Sequence, residues 1–236
     1  MKIKVIVPVS TDFWNDLIRD AYEKYKDPGT KIDIINIKKG PESVEQIYDD
    51  SWSALPTLLE LEKAEKEGYD AAIIYCFGDP ALLAAKEAVN IPVVGLCEPS
   101  IHLASMLGRR FSIIGVGGKA GYGLMIDNVT RYGLSHKMAS VRLTDVRVLD
   151  IRKEFDKLVE ILTEEGRKAI EVDGADTLVL GCGGLLNIAD ILQERLGVPV
   201  IDPGITALKV AELLAKLKLK QSKIAYVSPY PKKRIE

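Results

Sequence analysis

Two cysteines occupy matching positions in an internal repeat of this sequence. The segment 69–78, which contains Cys76, resembles the segment 175–184, which contains Cys182, and in each copy an aspartate stands six residues before the cysteine. An apolar stretch separates the two residues, and an Ile-Pro-Val or Val-Pro-Val tripeptide begins 15 or 16 residues after the cysteine. The repeat predicts two related units, each with a cysteine at the end of a strand.

This placement suits acid/base chemistry, because ligands and helix N-termini gather at the carboxyl ends of strands in open α/β sheets. We expect backbone N–H groups and the positive end of the following helix to lower each thiol pKa from about 8.5 into a useful range. The small residues after the cysteines, Gly78 in one copy and Gly183 and Gly184 in the other, leave amides available as oxyanion donors. Two thiols on opposite sides of one substrate could then remove a proton from one face of a stereocentre and return a proton to the other.

Each cysteine also has a simpler interpretation, as a small and inert core residue. Matched positions in both copies, each followed closely by glycine, favour a functional role for Cys76 and Cys182. Cys97 has no counterpart in the second copy, so we expect it to be structural.

The elements that would position these thiols alternate between short apolar strands and helices. The helical segment 153–172, for example, has an apolar stripe at i, i+3, i+4, i+7 spacing. Such alternation predicts an α/β fold with two pseudo-symmetric lobes, each a mostly parallel sheet flanked by helices, and an active site in the cleft between them. Residues 1–97 plus 204–236 are expected to form the first lobe, and residues 98–203 the second. The predicted strands are 2–9, 31–37, 70–76, 92–96, 111–116, 138–143, 176–182 and 199–201.

Composition excludes several classes of partner. The chain of 236 residues has 32 basic and 34 acidic side chains, a net charge of −2, which gives no electrostatic basis for binding nucleic acid or an anionic membrane. No apolar run approaches the roughly 20 residues of a membrane span, and the N-terminal segment is typical of a strand rather than a signal peptide. Three cysteines, an odd number, favour a reduced cytoplasmic protein over a disulfide scaffold.

A glycine-rich segment, 115–121, invites a second interpretation. It follows a strand and opens a helix, but its spacing is GxGxxxG rather than the GxGxxG of dinucleotide-binding loops. A nucleotide-binding protein with inert cysteines is therefore the alternative of a different class. We favour the interpretation in which Gly117 and Gly118 line the same cleft as the cysteines. His102 and His136 lie in no ligand-spaced cluster, so no metal is expected.

The segments 76–82 (CFGDPAL), 91–96 (IPVVGL) and 180–185 (LGCGGL) resemble the aspartate/glutamate racemase superfamily, in its hydantoin and allantoin racemase branch. This resemblance implies racemisation of a small molecule without a cofactor, with Cys76 and Cys182 as acid/base residues for opposite substrate faces. It also implies a homo-oligomer with a cleft between two lobes.

The departures from the superfamily pattern bear on the substrate. Amino-acid racemases of the superfamily carry Asn-Thr after the first cysteine and Thr after the second, where this chain has Phe77-Gly78 and Gly183. This loss favours inversion at C5 of an uncharged cyclic ureide, such as a hydantoin or allantoin, although Phe77 could simply pack against a helix. The alternatives are an isomerase or decarboxylase of a small dicarboxylate, or an amino-acid racemase.

The loop after the first strand supplies the remaining candidates. The branch usually has an Asn-Pro-Asn-Thr-like loop there, whereas this chain has Pro8 between two valines, followed by Ser10 and Thr11. We expect these three residues to contact substrate, or one hydroxyl to cap the helix that begins near Asp12. Helix capping is also the expected role of three acidic residues beside prolines, Asp79, Glu98 and Asp202.

Overall fold

The computed structural model describes residues 1–234, which form two four-stranded parallel sheets flanked by helices. The strand orders are β2-β1-β3-β4 and β6-β5-β7-β8, so the two sheets share one topology. The predicted α/β class is confirmed, with the structural strands ending one or two residues earlier than several predicted ones. The strands are β1 Lys2–Val7, β2 Lys31–Asn36, β3 Ala71–Ile74, β4 Val93–Val94, β5 Phe111–Gly115, β6 Met138–Leu143, β7 Thr177–Leu180 and β8 Val200–Ile201.

Eight α-helices within the described residues connect and cover the strands. The predicted segment 153–172 forms α6, which buries Leu158, Val159 and Leu162 along its apolar stripe. No helix among these residues is both long enough and apolar enough to cross a membrane. The helices are α1 Asn15–Tyr25, α2 Ile47–Lys66, α3 Leu82–Ala88, α4 Cys97–Leu107, α5 Gly118–Arg131, α6 Phe155–Glu171, α7 Ala189–Leu196 and α8 Pro203–Lys216.

The repeat seen in the sequence is also a repeat in structure. The Asp70 carboxylate accepts the backbone N–H of Lys2 at 2.7 Å, at the start of β1. Its counterpart Asp176 accepts the N–H groups of Arg109 and Arg110 at 2.8 and 3.2 Å, just before β5. Each aspartate therefore ties its own strand to the first strand of its sheet, and the two cysteines leave their sheets at equivalent positions.

One hydrophobic core joins the two sheets. Cys97 begins α4 and is fully buried in this core, and α4 packs against both β7 and α8. The terminal helix α8 packs against β3 and β4 of the first sheet. The lobe boundaries near residues 97 and 204 stay a prediction.

The acidic residues beside prolines have different roles from those expected, except for Asp202. Asp202 caps α8, accepting the N–H groups of Gly204 and Ile205 at 2.8 and 3.1 Å. Asp79 does not cap α3, because its left-handed backbone (φ 53°) belongs to a turn that carries the side chain away from that helix. Glu98 lies inside α4 and pairs with Lys86 at 2.6 Å.

The Asp79 carboxylate instead stabilises the start of α4. It accepts the N–H groups of Leu96, Cys97 and Glu98 at 2.7, 3.0 and 2.9 Å. The hydroxyl of Tyr132 on α5 donates to the same carboxylate at 2.7 Å. The turn after Cys76 is thereby fixed to two helices.

Replacing Asp79 with alanine should lower the free energy of unfolding by at least about 2 kcal/mol, because three backbone donors lose their buried acceptor. Urea denaturation followed by circular dichroism measures this change. Asp16→Ala is the matched control, since the Asp16 side chain is almost fully exposed and its loss should stay within about 0.5 kcal/mol. Equal losses in both variants would contradict the assigned role of Asp79.

Candidate active site

Cys76 and Cys182 line one cavity of about 60 Å³ at the carboxyl ends of the two sheets. Each cysteine lies two residues beyond its strand, β3 for Cys76 and β7 for Cys182. Both side chains are partly exposed, in contrast to the fully buried Cys97. The structure thus brings together the two thiols that the repeat singled out.

Some of the other predicted residues line this cavity and some do not. Those that line it are Pro8, Phe77, Gly78, Gly183 and Gly184. Ser10 and Thr11 lie outside the lining: Ser10 is exposed and its hydroxyl donates to the Pro41 carbonyl at 3.2 Å. Thr11 accepts the N–H of Phe13 at 3.3 Å. Neither residue caps α1, which begins at Asn15 without a side-chain cap.

Gly117 and Gly118 also lie outside the lining. Both have positive φ angles, 92° and 54°, which suit glycine at the entry to α5. Their N–H groups donate to the Val146 and Thr144 carbonyls at 2.9 and 2.8 Å. These two amides are therefore already occupied, which counts against the nucleotide-binding alternative. Gly118 faces instead a separate, open surface cleft of about 950 Å³.

The two thiols receive the same backbone hydrogen bond. The N–H of Gly78 donates to Sγ of Cys76 at 3.4 Å, and the N–H of Gly184 donates to Sγ of Cys182 at 3.3 Å. The expectation that these glycine amides are free as oxyanion donors is therefore not met, since both point at sulfur. They lower the thiol pKa by stabilising the charged form.

The predicted lowering of the thiol pKa values is nevertheless wrong for the free protein. Burial raises the pKa of Cys76 well above its ordinary value and raises that of Cys182 to about 11, outweighing the amide hydrogen bonds. The following α-helices are too far along the chain to compensate, because α3 begins six residues after Cys76 and α7 seven residues after Cys182. Burial therefore favours the neutral thiol form of both cysteines in the free protein.

Two carboxyl groups that sequence reasoning missed lie close to the thiols. Asp50 on α2 places Oδ1 2.9 Å from the position that a Cβ on Gly78 would occupy. Burial raises the pKa of Asp50 to about 6, and its charge raises the pKa of Cys76. Glu45, in the loop before α2, lines the cavity and raises the pKa of Cys182. No motif or spacing marks either residue, because they approach the site only through tertiary packing.

Hydrogen bonds between the two units hold the cysteine loops in place. The Tyr75 hydroxyl donates to the Gly183 carbonyl at 3.1 Å. Asn128 on α5 donates from Nδ2 to the Gly78 carbonyl at 2.8 Å. A Cβ on Gly183 would lie only 2.8 Å from Cε1 of Tyr75, so the close approach of this ring requires glycine there. Each cysteine loop is thus supported by the opposite unit.

The described part of the chain contains no group of three or more His, Cys, Asp or Glu side chains arranged to hold a metal ion. His102 uses its Nδ1 in a 2.7 Å hydrogen bond with the Glu98 carbonyl one turn earlier in α4. His102 is exposed on α4 and is not among the residues that line the cavity.

Two related α/β units that bring paired thiols to one cavity define a two-lobed racemase. The chain belongs to the Asp/Glu/Hydantoin racemase family, whose family model matches residues 3–211. It is 39% identical over 234 residues to a hydantoin racemase of Pseudomonas sp. (strain NS671), covering 99% of this chain and 93% of that relative.

Solved structures of similar chains agree with this assignment. Allantoin racemase from Klebsiella pneumoniae has a TM-score of 0.93 at 32% identity, with 98% of this chain and 95% of that one covered. Allantoin racemase from Pseudomonas fluorescens has a TM-score of 0.94 at 30% identity and covers 100% of both chains. The resemblance noted in the sequence is confirmed.

Alkylation by iodoacetamide should modify Cys76 and Cys182 slowly at neutral pH and faster as the pH rises, because burial raises both pKa values. Mass spectrometry of peptides from samples quenched at a series of pH values gives the rate at each thiol. Cys97 should stay unmodified, since it is fully buried. A rate that levels off at or below about pH 7.5 would contradict the raised pKa values.

Proposed function

We propose that this enzyme inverts the C5 stereocentre of a cyclic ureide, such as a 5-substituted hydantoin or allantoin, by proton transfer between Cys76 and Cys182. The observation that carries the proposal is the convergence of both thiols on one cavity from two different sheets. The names of the relatives, hydantoin racemase and allantoin racemase, point to the same class of substrate.

In this mechanism, one cysteine acts as a thiolate and takes the C5 proton. The electron pair of the broken C–H bond moves into the adjacent ring carbonyl, forming an enolate. The opposite cysteine, still a thiol, then donates its proton to the other face of C5, and the carbonyl reforms. The pair holds one proton before and after the reaction, with the roles of the two sulfurs exchanged.

Electrostatics favours a pair with one thiol and one thiolate over a pair with two thiolates. Each glycine amide, from Gly78 or Gly184, stabilises a thiolate once it forms. The charge of Cys182 raises the pKa of Cys76, so a second ionisation is harder than the first. A thiolate of raised pKa is also a stronger base towards a C–H bond.

The homo-oligomeric state and the cytoplasmic location stay predictions from the sequence. Three large apolar side chains, Tyr48, Trp52 and Leu55, are exposed on α2 at i, i+4, i+7 spacing and so lie on one helix face. A surface of this kind is typical of contacts between subunits.

Alanine at either active cysteine, Cys76→Ala or Cys182→Ala, should lower the rate of stereo-inversion by at least about a hundredfold, because one substrate face loses its proton donor or acceptor. Polarimetry on a single hydantoin enantiomer measures inversion, and NMR in D2O measures hydrogen exchange at C5. Each variant should retain exchange for one enantiomer only. Cys97→Ala is the control and should invert the substrate normally. Full inversion by either active-site variant would rule out the two-base mechanism.

The pH dependence follows from the same pKa shifts. Because burial raises both thiol pKa values, the thiolate form is gained as the pH rises. We therefore expect kcat/KM, corrected for the rate without enzyme, to rise by up to about tenfold per unit between about pH 7 and pH 9. The profile of Cys97→Ala should coincide with that of the unmodified enzyme. A value of kcat/KM that is flat or falling across this range would contradict the proposed role of the thiols.

A further inference from the structure

The cavity that holds both thiols is almost free of charge. Its lining, all of it within the described residues, consists mainly of apolar side chains and glycines. Apart from the two cysteines and Tyr75, the one ionisable side chain in this lining is that of Glu45, and the lining contains no Lys, Arg or His. Glu45 is therefore the one carboxylate in this lining, whereas Asp50 lies beside Gly78 but outside the lining.

Glu45 is held at this position by neutral groups. Its Oε1 accepts the N–H of Val148 at 3.3 Å and the hydroxyl of Ser43 at 3.2 Å. The Glu45 backbone N–H donates to the Asp49 carboxylate at 3.1 Å, which fixes the main chain just before α2. Neither of the two groups that donate to the Glu45 carboxylate is a cation, so these contacts do not neutralise its negative charge.

Glu45 also contacts the other unit at the cavity. Val148 belongs to the connection between β6 and α6, whereas Glu45 belongs to the connection between β2 and α2. The Glu45 carbonyl oxygen lies 3.4 Å from the place where a Cβ on Gly121 of α5 would be. Glu45 is thus held by hydrogen bonds of both its backbone and its carboxylate, and its charge acts on Cys182.

We propose that Glu45 is a specificity-determining residue that admits neutral ligands and rejects anionic ones. This inference rests on the proposed function, in which the substrate is an uncharged ring. A ureide ring carries N–H groups, which a carboxylate accepts in a charge-assisted hydrogen bond. The carboxylate of a free amino acid or of a ring-opened N-carbamoyl amino acid would instead be repelled in a partly desolvated site.

The two alkylating reagents iodoacetamide and iodoacetate test the charge directly, because they deliver similar groups and differ in charge. The measured quantity is the ratio of the two alkylation rates at Cys76 and at Cys182. This ratio cancels any change in the thiolate fraction that a substitution causes. In Glu45→Gln, which keeps an oxygen able to accept from Val148, the preference for iodoacetamide should fall by at least about fivefold relative to the unmodified enzyme.

Glu42→Gln is the matched control. Glu42 is exposed in the same loop and lies in an adjoining surface groove but not in the cavity lining. Its removal should leave the ratio within about twofold, because solvent and salt screen an exposed charge. An unchanged ratio in Glu45→Gln would overturn the inference, and so would an equal change in both variants, which would indicate the general field of the protein. Cys97 should stay unmodified in both variants, which shows that neither change opens the fold.

A second measurement connects the charge to substrate choice. An N-carbamoyl amino acid should inhibit racemisation of the corresponding hydantoin at least about fivefold more strongly in Glu45→Gln than in the unmodified enzyme. Equal inhibition of the two enzymes would overturn the inference. If the unmodified enzyme racemises neither hydantoins nor allantoin, the proposed function fails, whereas the alkylation ratio still decides whether Glu45 excludes anions.

Discussion

The proposed two-cysteine chemistry depends on one geometric constraint: two parallel sheets must end at the same cavity with their cysteine loops in equivalent positions. Asp70 and Asp176 fix the strands in equivalent positions by accepting backbone N–H groups at the start of β1 and β5. Tyr75 and Asn128 then fix the loops by donating to carbonyls beyond the cysteine of the opposite unit. The thiols are therefore positioned by the interface between the units, and neither unit alone holds a complete site.

Burial of the thiols has a cost and an advantage. The cost is that the charged form is disfavoured, so the pKa of Cys182 reaches about 11 even with an amide hydrogen bond to its sulfur. The advantage is that a thiolate in such surroundings is a strong base, and the coupling between the two sulfurs disfavours the loss of both protons. Asp50 and Glu45 increase both effects, because each places a negative charge near one thiol.

The fold class and the two thiols could be predicted because the information is local and occurs twice. The matching strands, prolines and aspartates around Cys76 and Cys182 indicate that the backbone has the same local structure in both copies of the repeat. The predicted role of Asp79 is wrong because capping rules consider only the helix that follows in sequence. The left-handed backbone of Asp79 directs its carboxylate to α4 instead. Ser10 and Thr11 follow the strand at the place of the family's loop, yet neither is among the residues that line the cavity. The sequence does not indicate a role for Glu45, because its hydrogen-bond partner Val148 is 103 residues away along the chain.

The two thiols have equivalent backbone positions but different neighbouring side chains. Asp50 lies near Cys76 and comes from α2, whereas Glu45 lies near Cys182 and comes from the loop before that helix. Both carboxyl groups belong to the first unit, and among the described residues the second unit adds no acidic side chain to the cavity lining. For a racemase with two enantiomers of equal free energy, thermodynamics requires the same kcat/KM in both directions. The unequal environments of the two thiols can therefore give the two enantiomers different kcat and different KM values. The value of kcat/KM must still be the same for both enantiomers.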